Sequence, residues 1–467
     1  MTINSLLKQY TKGVQWNAFL YIIYKIISTS IMVFLYARMQ SEAYSLYVNL
    51  LSIIYLLLLW SDMGLQKAIP RFVPLYAHNT HALHTFMKRL LIIKGSILLL
   101  LPACYFLLIN WLASALHLNA LHDFFYMGTI LLFVEGLTNV MRLLYHAHSW
   151  QKQFNLMNIC TLFIEAGITL TALQMIEQQE SLLLALLSAK IAGASLLLLG
   201  AGLVWPYVYQ SLNTKEHEQI NENELNRAFI KHAGLMWGTT IAKSLTERNF
   251  LLPLFTYAFG PVTANMFKVA NDGALLFYRM VIKSIGTTDT TLFTHILKMR
   301  LDKTTWQIAF TNLTTKLAAL CIPLSGLIWL LFQYEMLFSY HPFVFHLFLI
   351  ISSTFLIEAI LSPCERILEV HRSYFLLLIT YVPYICIVLL MLTTPIMTSI
   401  GLLYTLLCIQ GVRLVSSLLF YAAIRIQYNL RFPLRYVGSL SLTVYAGIRI
   451  IEWCTLYIRH LYIHYVS

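Results

Sequence analysis

The sequence predicts an all-α polytopic membrane protein, with about twelve transmembrane helices in two pseudo-symmetric six-helix bundles. Three observations predict it. Charged residues make up 11% of the 467 positions and apolar residues 59%, with a mean hydropathy of +0.70. A soluble domain carries roughly 25% charged residues, and so few polar residues would not cover a single core of this size. Apolar runs of about 20 residues recur along the chain, long enough to cross a ~30 Å hydrocarbon layer as helices. Finally, Lys and Arg fall on one side of those runs only, as counted below.

In chain order, the first 13 residues carry Lys8 and Lys12 and lead into an apolar span at 14–37. No A-x-A site occurs early enough for cleavage, so the segment reads as an uncleaved first helix. Spans follow at 44–66, 90–111, 123–147, 154–175 and 181–205. The longest hydrophilic stretch, 210–232, separates them from spans at 235–258, 262–285, 307–331, 343–363, 374–394 and 399–424. The apolar segment 436–458 carries Arg449 and Glu452 at its middle. The sequence leaves open whether it is a thirteenth span or a helix lying in the interface. The expected organisation is an N-terminal bundle at 1–209, a linker at 210–232, a C-terminal bundle at 233–424 and a basic tail at 425–467.

The formal charge of +12 would point to nucleic acid in a soluble protein. Position gives it a different meaning. With twelve spans and a cytoplasmic N-terminus, nineteen Lys and Arg fall at inner segments and one, Arg38, falls outside. That is the positive-inside bias of a multi-pass protein, and nucleic acid is not expected as a partner. The seven Cys lie in or at the ends of apolar spans, with no CxxC and no zinc spacing, so no metal or cofactor is expected. No loop is long enough to fold as a separate domain, which places any function inside the bundle.

The second half begins like the first. At an offset of 221, Gly13, Trp16, Tyr36 and Ala37 repeat as Gly234, Trp237, Tyr257 and Ala258. The signal falls on spans one and seven, equivalent places in two six-span halves. Parallel repeats of this kind form transporters with the site between the halves. Shared apolar composition with interfacial Trp anchors is the plainer explanation of the same matches.

Charges within spans mark the candidate site, because intramembrane ions face a bundle interior or a hydrated cavity. Lys94 and Lys316 lie close enough to inner span ends to snorkel. Lys25, Arg248 and Arg413 lie near mid-span. Span eight is the most informative. At helical spacing, Asn265, Lys268, Asp272, Arg279 and Lys283 share a stripe about 60° wide. The i,i+4 spacing of Lys268–Asp272 allows an ion pair, but one pair cannot neutralise the stripe. In span seven, Lys243 and Glu247 have the same spacing. Spans one, seven and eight together hold six cations against Glu247 and Asp272. Such a cavity favours an anionic cargo, and Arg suits bidentate phosphate binding. The mid-membrane acids Glu135, Glu165 and Glu358 are candidates for ion coupling. A structural pair of Glu165 with Lys190 is the alternative.

Residues 34–74, FLYARMQSEAYSLYVNLLSIIYLLLLWSDMGLQKAIPRFVP, carry a resemblance. They look like the start of the polysaccharide-flippase (Wzx-like) branch of the multidrug/oligosaccharidyl-lipid/polysaccharide exporter superfamily. Tyr36-Ala37-Arg38, Glu42, AYSLY and MGLQKAIPRFVP match its pattern, with Ser45 where the family has glycine. The resemblance implies two bundles with alternating access in a bacterial inner membrane. It implies an undecaprenyl-pyrophosphate-linked oligosaccharide as cargo, for O-antigen, capsule or exopolysaccharide biosynthesis. A polysaccharide polymerase and a chain-length regulator are then expected partners, besides membrane lipids. Lys25, Lys268 and Arg279 match the cationic cavity positions of relatives, and Arg248 joins them on its mid-span position.

Two rivals stand beside this reading. A cation-coupled multidrug exporter of the same superfamily would be expected to carry carboxylates in its N-terminal cavity, where span one has Lys25 and no acid. A membrane glycan polymerase or glycosyltransferase would need acids near an outer loop. The chain has five Asp, no DxD and short outer loops, so a non-enzyme is expected, with no catalytic residues.

Overall fold

A computed structural model describes residues 3–76, 80–115, 124–147, 150–210, 222–275, 293, 303–333, 342–371, 373–391 and 394–446. The fold is all-helical, as the hydropathy pattern requires. The helices are α1 (Ile3–Arg38), α2 (Ser41–Trp60), α3 (Leu65–Tyr76), α4 (Thr80–Ala115), α5 (Phe125–Ala147), α6 (Gln151–Met175) and α7 (Gln179–Gln210). Then come α8 (Glu222–Ser244), α9 (Arg248–Phe259) and α10 (261–275). The remainder are α11 (Lys303–Gln333), α12 (Pro342–Val370), α13 (Tyr374–Met391), α14 (Thr394–Tyr428) and α15 (434–446). Among the described residues, eight helices are long and apolar enough to cross a membrane.

The chain forms two compact units. One contains Leu7–Val269 and Tyr381–Thr405; the other is built on Ala270–Thr380 and the chain from Leu406 onward. In the first, α7 packs along both α5 and α6, and α2 lies against α5, α8 and α9. In the second, α11 packs along α12.

Among the described residues, the expected spans fall on helices, span 262–285 as far as residue 275, with two differences of physical interest. The expected span 44–66 ends early, at Trp60. A turn at 61–64 follows, then the short helix α3. Its apolar residues Leu65, Ile69, Phe72, Val73 and Tyr76 recur at helical spacing and are buried. They join Leu83, Phe86, Met87 and Leu90 of α4 and Leu143 and Leu144 of α5 in one core. The edge of α8 is seated on that core: Phe229 meets Phe72 and Phe86 edge-on, at 5.5 and 4.9 Å between ring centroids. Tyr76 Oη donates to Asn226 Oδ1 at 2.7 Å.

The turn at 61–64 fixes α2 to α8. Gly64 has φ +72°, and a Cβ there would lie 2.1 Å from the carbonyl oxygen of Ala233. Only glycine allows both the left-handed backbone and this approach. Lys94, expected to snorkel, is instead buried and donates to the Ser61 carbonyl at 2.7 Å. Its neighbour Asp62 caps α3, accepting from the Gln66 amide at 2.8 Å. The carbonyls exposed by the turn give the ammonium a partner inside the protein, which removes the reason to reach for the interface.

The second difference is in the expected span 235–258. It is interrupted at 245–247, between α8 and α9. The local sequence explains the break. Thr239, Thr240, Ser244 and Thr246 each turn their hydroxyls onto a backbone carbonyl three or four residues back. Such bonds compete with the helix ladder. Pro253 in α9 removes a further ladder bond, leaving the carbonyl of Asn249 without its usual amide. Trp60 Nε1 donates to Ser244 Oγ at 2.8 Å and ties the break to α2.

Candidate functional site

Helix α2 is the element that builds the site. Ser41, Tyr44, Ser45, Asn49 and Ser52 recur every three or four residues, and all but Ser41 are buried. This polar stripe faces α9 and α10. Asn49 Nδ2 donates to Ser45 Oγ at 3.1 Å and to Thr256 Oγ1 of α9 at 3.0 Å. In lipid, where helix association lacks a hydrophobic drive, such interhelical bonds and close packing hold helices together.

The described part of the span-eight stripe docks on the same face. Lys268 is 3% exposed. Its Nζ donates to Tyr44 Oη at 2.8 Å and lies 5.1 Å from the centre of the Tyr44 ring. The phenol thus offers the ammonium a lone pair and a π-face together. Tyr44 is itself braced edge-on by Tyr36, with centroids 5.3 Å apart. Asn265 Nδ2 donates to the Ser41 carbonyl at 3.0 Å and to Ser41 Oγ at 3.2 Å. Asn265 Oδ1 is buried with no partner among the described residues. Asp272 is partly buried one turn beyond Lys268. Arg279 and Lys283 lie outside the described residues, as does the side chain of Lys25 on α1.

The three charges of span seven lie around the helix break. Lys243 is in the last turn of α8, Glu247 is the N-cap residue of α9, and Arg248 opens α9. The interruption removes the i,i+4 geometry that would have paired Lys243 with Glu247, and no ion pair joins them. Instead, the Glu247 carboxylate sits at the positive end of α9, where a helix favours negative charge. Arg248 reaches Asn249 Oδ1 through Nε at 3.4 Å and Nη2 at 3.2 Å.

The mid-membrane acids are in polar clusters. Lys190 Nζ and Glu165 Oε1 pair at 2.5 Å between α7 and α6. Glu135 of α5 and Tyr55 of α2 lie near that pair. In the second unit, Arg413 of α14 grips Glu358 of α12 in a bidentate pair, with both bonds at 2.7 Å. Its guanidinium lies 4.7 Å from the centre of the Phe355 ring.

Sequence reasoning singled out Lys268, Asn265 and the charges around the break. It missed Tyr44, Asn49 and Thr256, the partners that decide what those residues touch. Their signal is present: AYSLYVNLLS places polar residues at helical spacing in an otherwise apolar span.

No family model matches the chain, and no curated protein matches it either. Solved structures do match it in fold. It is similar to a structure described as the lipid II flippase MurJ in an inward closed conformation. The TM-score is 0.61 and the identity 12%, over 96% of this chain and 92% of that one. It is also similar to an outward-facing multidrug resistance MATE family transporter of the MOP superfamily, with TM-score 0.60 and 12% identity over 90% of this chain and 96% of that one. A third structure, MATE in complex with MaL6, aligns with TM-score 0.59 and 13% identity over 90% and 96%. The chain shares its fold with these three structures. With its apolar helices, this fold makes the chain a multi-pass membrane protein.

Proposed function

We propose that the chain is a lipid flippase. It moves undecaprenyl-pyrophosphate-linked oligosaccharide units across the bacterial inner membrane by alternating access, for surface polysaccharide biosynthesis. The observation that carries the reading is Lys268: a cation on span eight buried inside the protein, hydrogen-bonded to a phenol. Lys25, Arg248 and Arg279 complete the cationic set that would hold a pyrophosphate. The sugars would pass through the hydrated space between the halves while the lipid tail stays in the bilayer. The N-terminus and the 210–232 linker would face the cytoplasm.

The test is a deletion followed by lipid analysis. Lipid-linked repeat units are expected to accumulate on the cytoplasmic side. Unpolymerised units on the periplasmic side would instead identify a polymerase. Removing the charge at Lys25, Arg248, Lys268 or Arg279 is expected to stop export at normal protein level. Unchanged export in all four would sink the cationic-site idea.

A second reading, the cation-coupled multidrug exporter, is favoured by one specific observation. Glu135, Glu165, Lys190 and Tyr55 form a carboxylate-containing polar cluster inside the N-terminal helices, where such an exporter would bind its coupling ion. It predicts that Glu165→Gln raises drug sensitivity while leaving surface glycan intact.

A further inference from the structure

The polar seam between α2 and the α9–α10 pair has a composition unlike the aromatic core beneath it. Three hydrogen-bonded residue pairs span it: Asn49 with Thr256, Ser41 with Asn265, and Tyr44 with Lys268. All three link an element of the first six spans to one of the last six. All are neutral or half-neutral contacts. The seam also leaves Asn265 Oδ1 buried and unpartnered among the described residues. An unmet acceptor costs free energy in the closed arrangement and is relieved by water when the helices part. Gly260, with φ +81° and ψ 166°, turns α9 into α10 through a backbone region open to glycine alone.

We infer that this seam is a latch, and that Tyr44 is a positioning residue that parks the Lys268 ammonium when the latch is shut and surrenders it to cargo phosphate when the latch opens. The cargo half of this inference rests on the flippase reading; the latch half stands without it. The phenol is suited to the exchange. It is a neutral acceptor, and a doubly charged pyrophosphate is the stronger acceptor for the same ammonium. One hydrogen bond shifts a two-state equilibrium by about 2- to 10-fold. Tyr44→Phe keeps the ring and removes the oxygen, so it biases the chain toward the open state by that factor. Apparent affinity for a ligand of the open state rises in proportion.

The test uses the full-length chain in membranes, with its seven native cysteines replaced. Ser45→Cys is the reporter: Ser45 is 2% exposed and bonded to Asn49 inside the seam. Its reaction rate with a small hydrophilic thiol reagent is expected to rise about 2- to 10-fold when Tyr44→Phe is added, and likewise with Thr256→Val. Equal rates in both variants would overturn the latch. Ser41→Cys with Asn265→Cys supplies an independent reading. Oxidation to a disulfide is expected to stop transport, and reduction to restore it; full cross-linking with undiminished transport would also overturn the latch. For the cargo half, undecaprenyl pyrophosphate in nanodiscs is the probe. Tighter binding to Tyr44→Phe and loss of binding in Lys268→Ala support the exchange. Faster reporter labelling with no binding of this probe keeps the latch and overturns the cargo.

Discussion

Arg413 shows how single residues make a charge tolerable in this fold. It is 5% exposed, its guanidinium is matched to both oxygens of Glu358, and Phe355 covers its face. Such a pair earns little net stability over an apolar one, but removing one partner strands a buried charge, at a cost of about 3–5 kcal/mol. Glu358→Ala should therefore lower the melting temperature in detergent sharply. Glu358→Leu combined with Arg413→Met should recover most of the loss. A double variant as unstable as the single would show that the pair has a role beyond mutual neutralisation. His371 makes a second case. It lies between Trp306 and Tyr428, with ring centroids 4.6 and 4.4 Å away, beyond the end of the span that α12 forms. Burial there holds its imidazole below the ordinary histidine value. A depressed histidine pKa means that the folded state resists protonation. Its contribution is intact above the unfolded value of about 6.5 and is lost as pH falls from there through the folded pKa. Thermal melts of the wild type should drop over that acid window, and those of His371→Phe should drop less.

Among the elements, the turn from α2 to α3 is the sharpest constraint. Gly64 combines a left-handed backbone with direct backbone contact to α8. Gly64→Ala pays at least about 1–2 kcal/mol for the handedness alone, and the Ala233 carbonyl cannot swing aside as a side chain would. Reduced membrane levels and a lower melting temperature are expected; wild-type stability would mean that α8 rides more loosely on the turn than the distances imply. This turn also marks where the sequence could be read and where it could not. Span-length apolar runs announce themselves, and so every long helix among the described residues was legible. Helix α3 was not, because twelve residues of mixed character following an apolar span look like its continuation or a loop. The break at 245–247 was hidden because Ser and Thr are tolerated in helices and signal a break only by accumulation. The burial of Lys94 was not legible at all: position in a span gives depth, and only the fold supplies the Ser61 carbonyl.

At the scale of the molecule, what was legible in the candidate site is the kind of residue, and what was not is its neighbours. Helical phase grouped Asn265 with Lys268, and in the structure both, on α10, bond to α2; phase alone could not name Tyr44 or Ser41. The two-halves plan also predicts a topology. Six spans on either side of the 210–232 linker put the linker and the N-terminus on one face of the membrane. A protease site placed in the linker should be cut in inverted inner-membrane vesicles and protected in spheroplasts. Cutting from the periplasmic side would reverse the orientation and with it the direction assigned to transport.

The interruption of span seven has a mechanical consequence. An unbroken rod could not leave α2 at one end without prising Phe229 from Phe72 and Phe86 at the other. A jointed rod separates these loads. The lower arm can then stay anchored in its greasy socket while the upper arm pivots at 245–247. Movement then costs a few hydrogen bonds rather than an aromatic core.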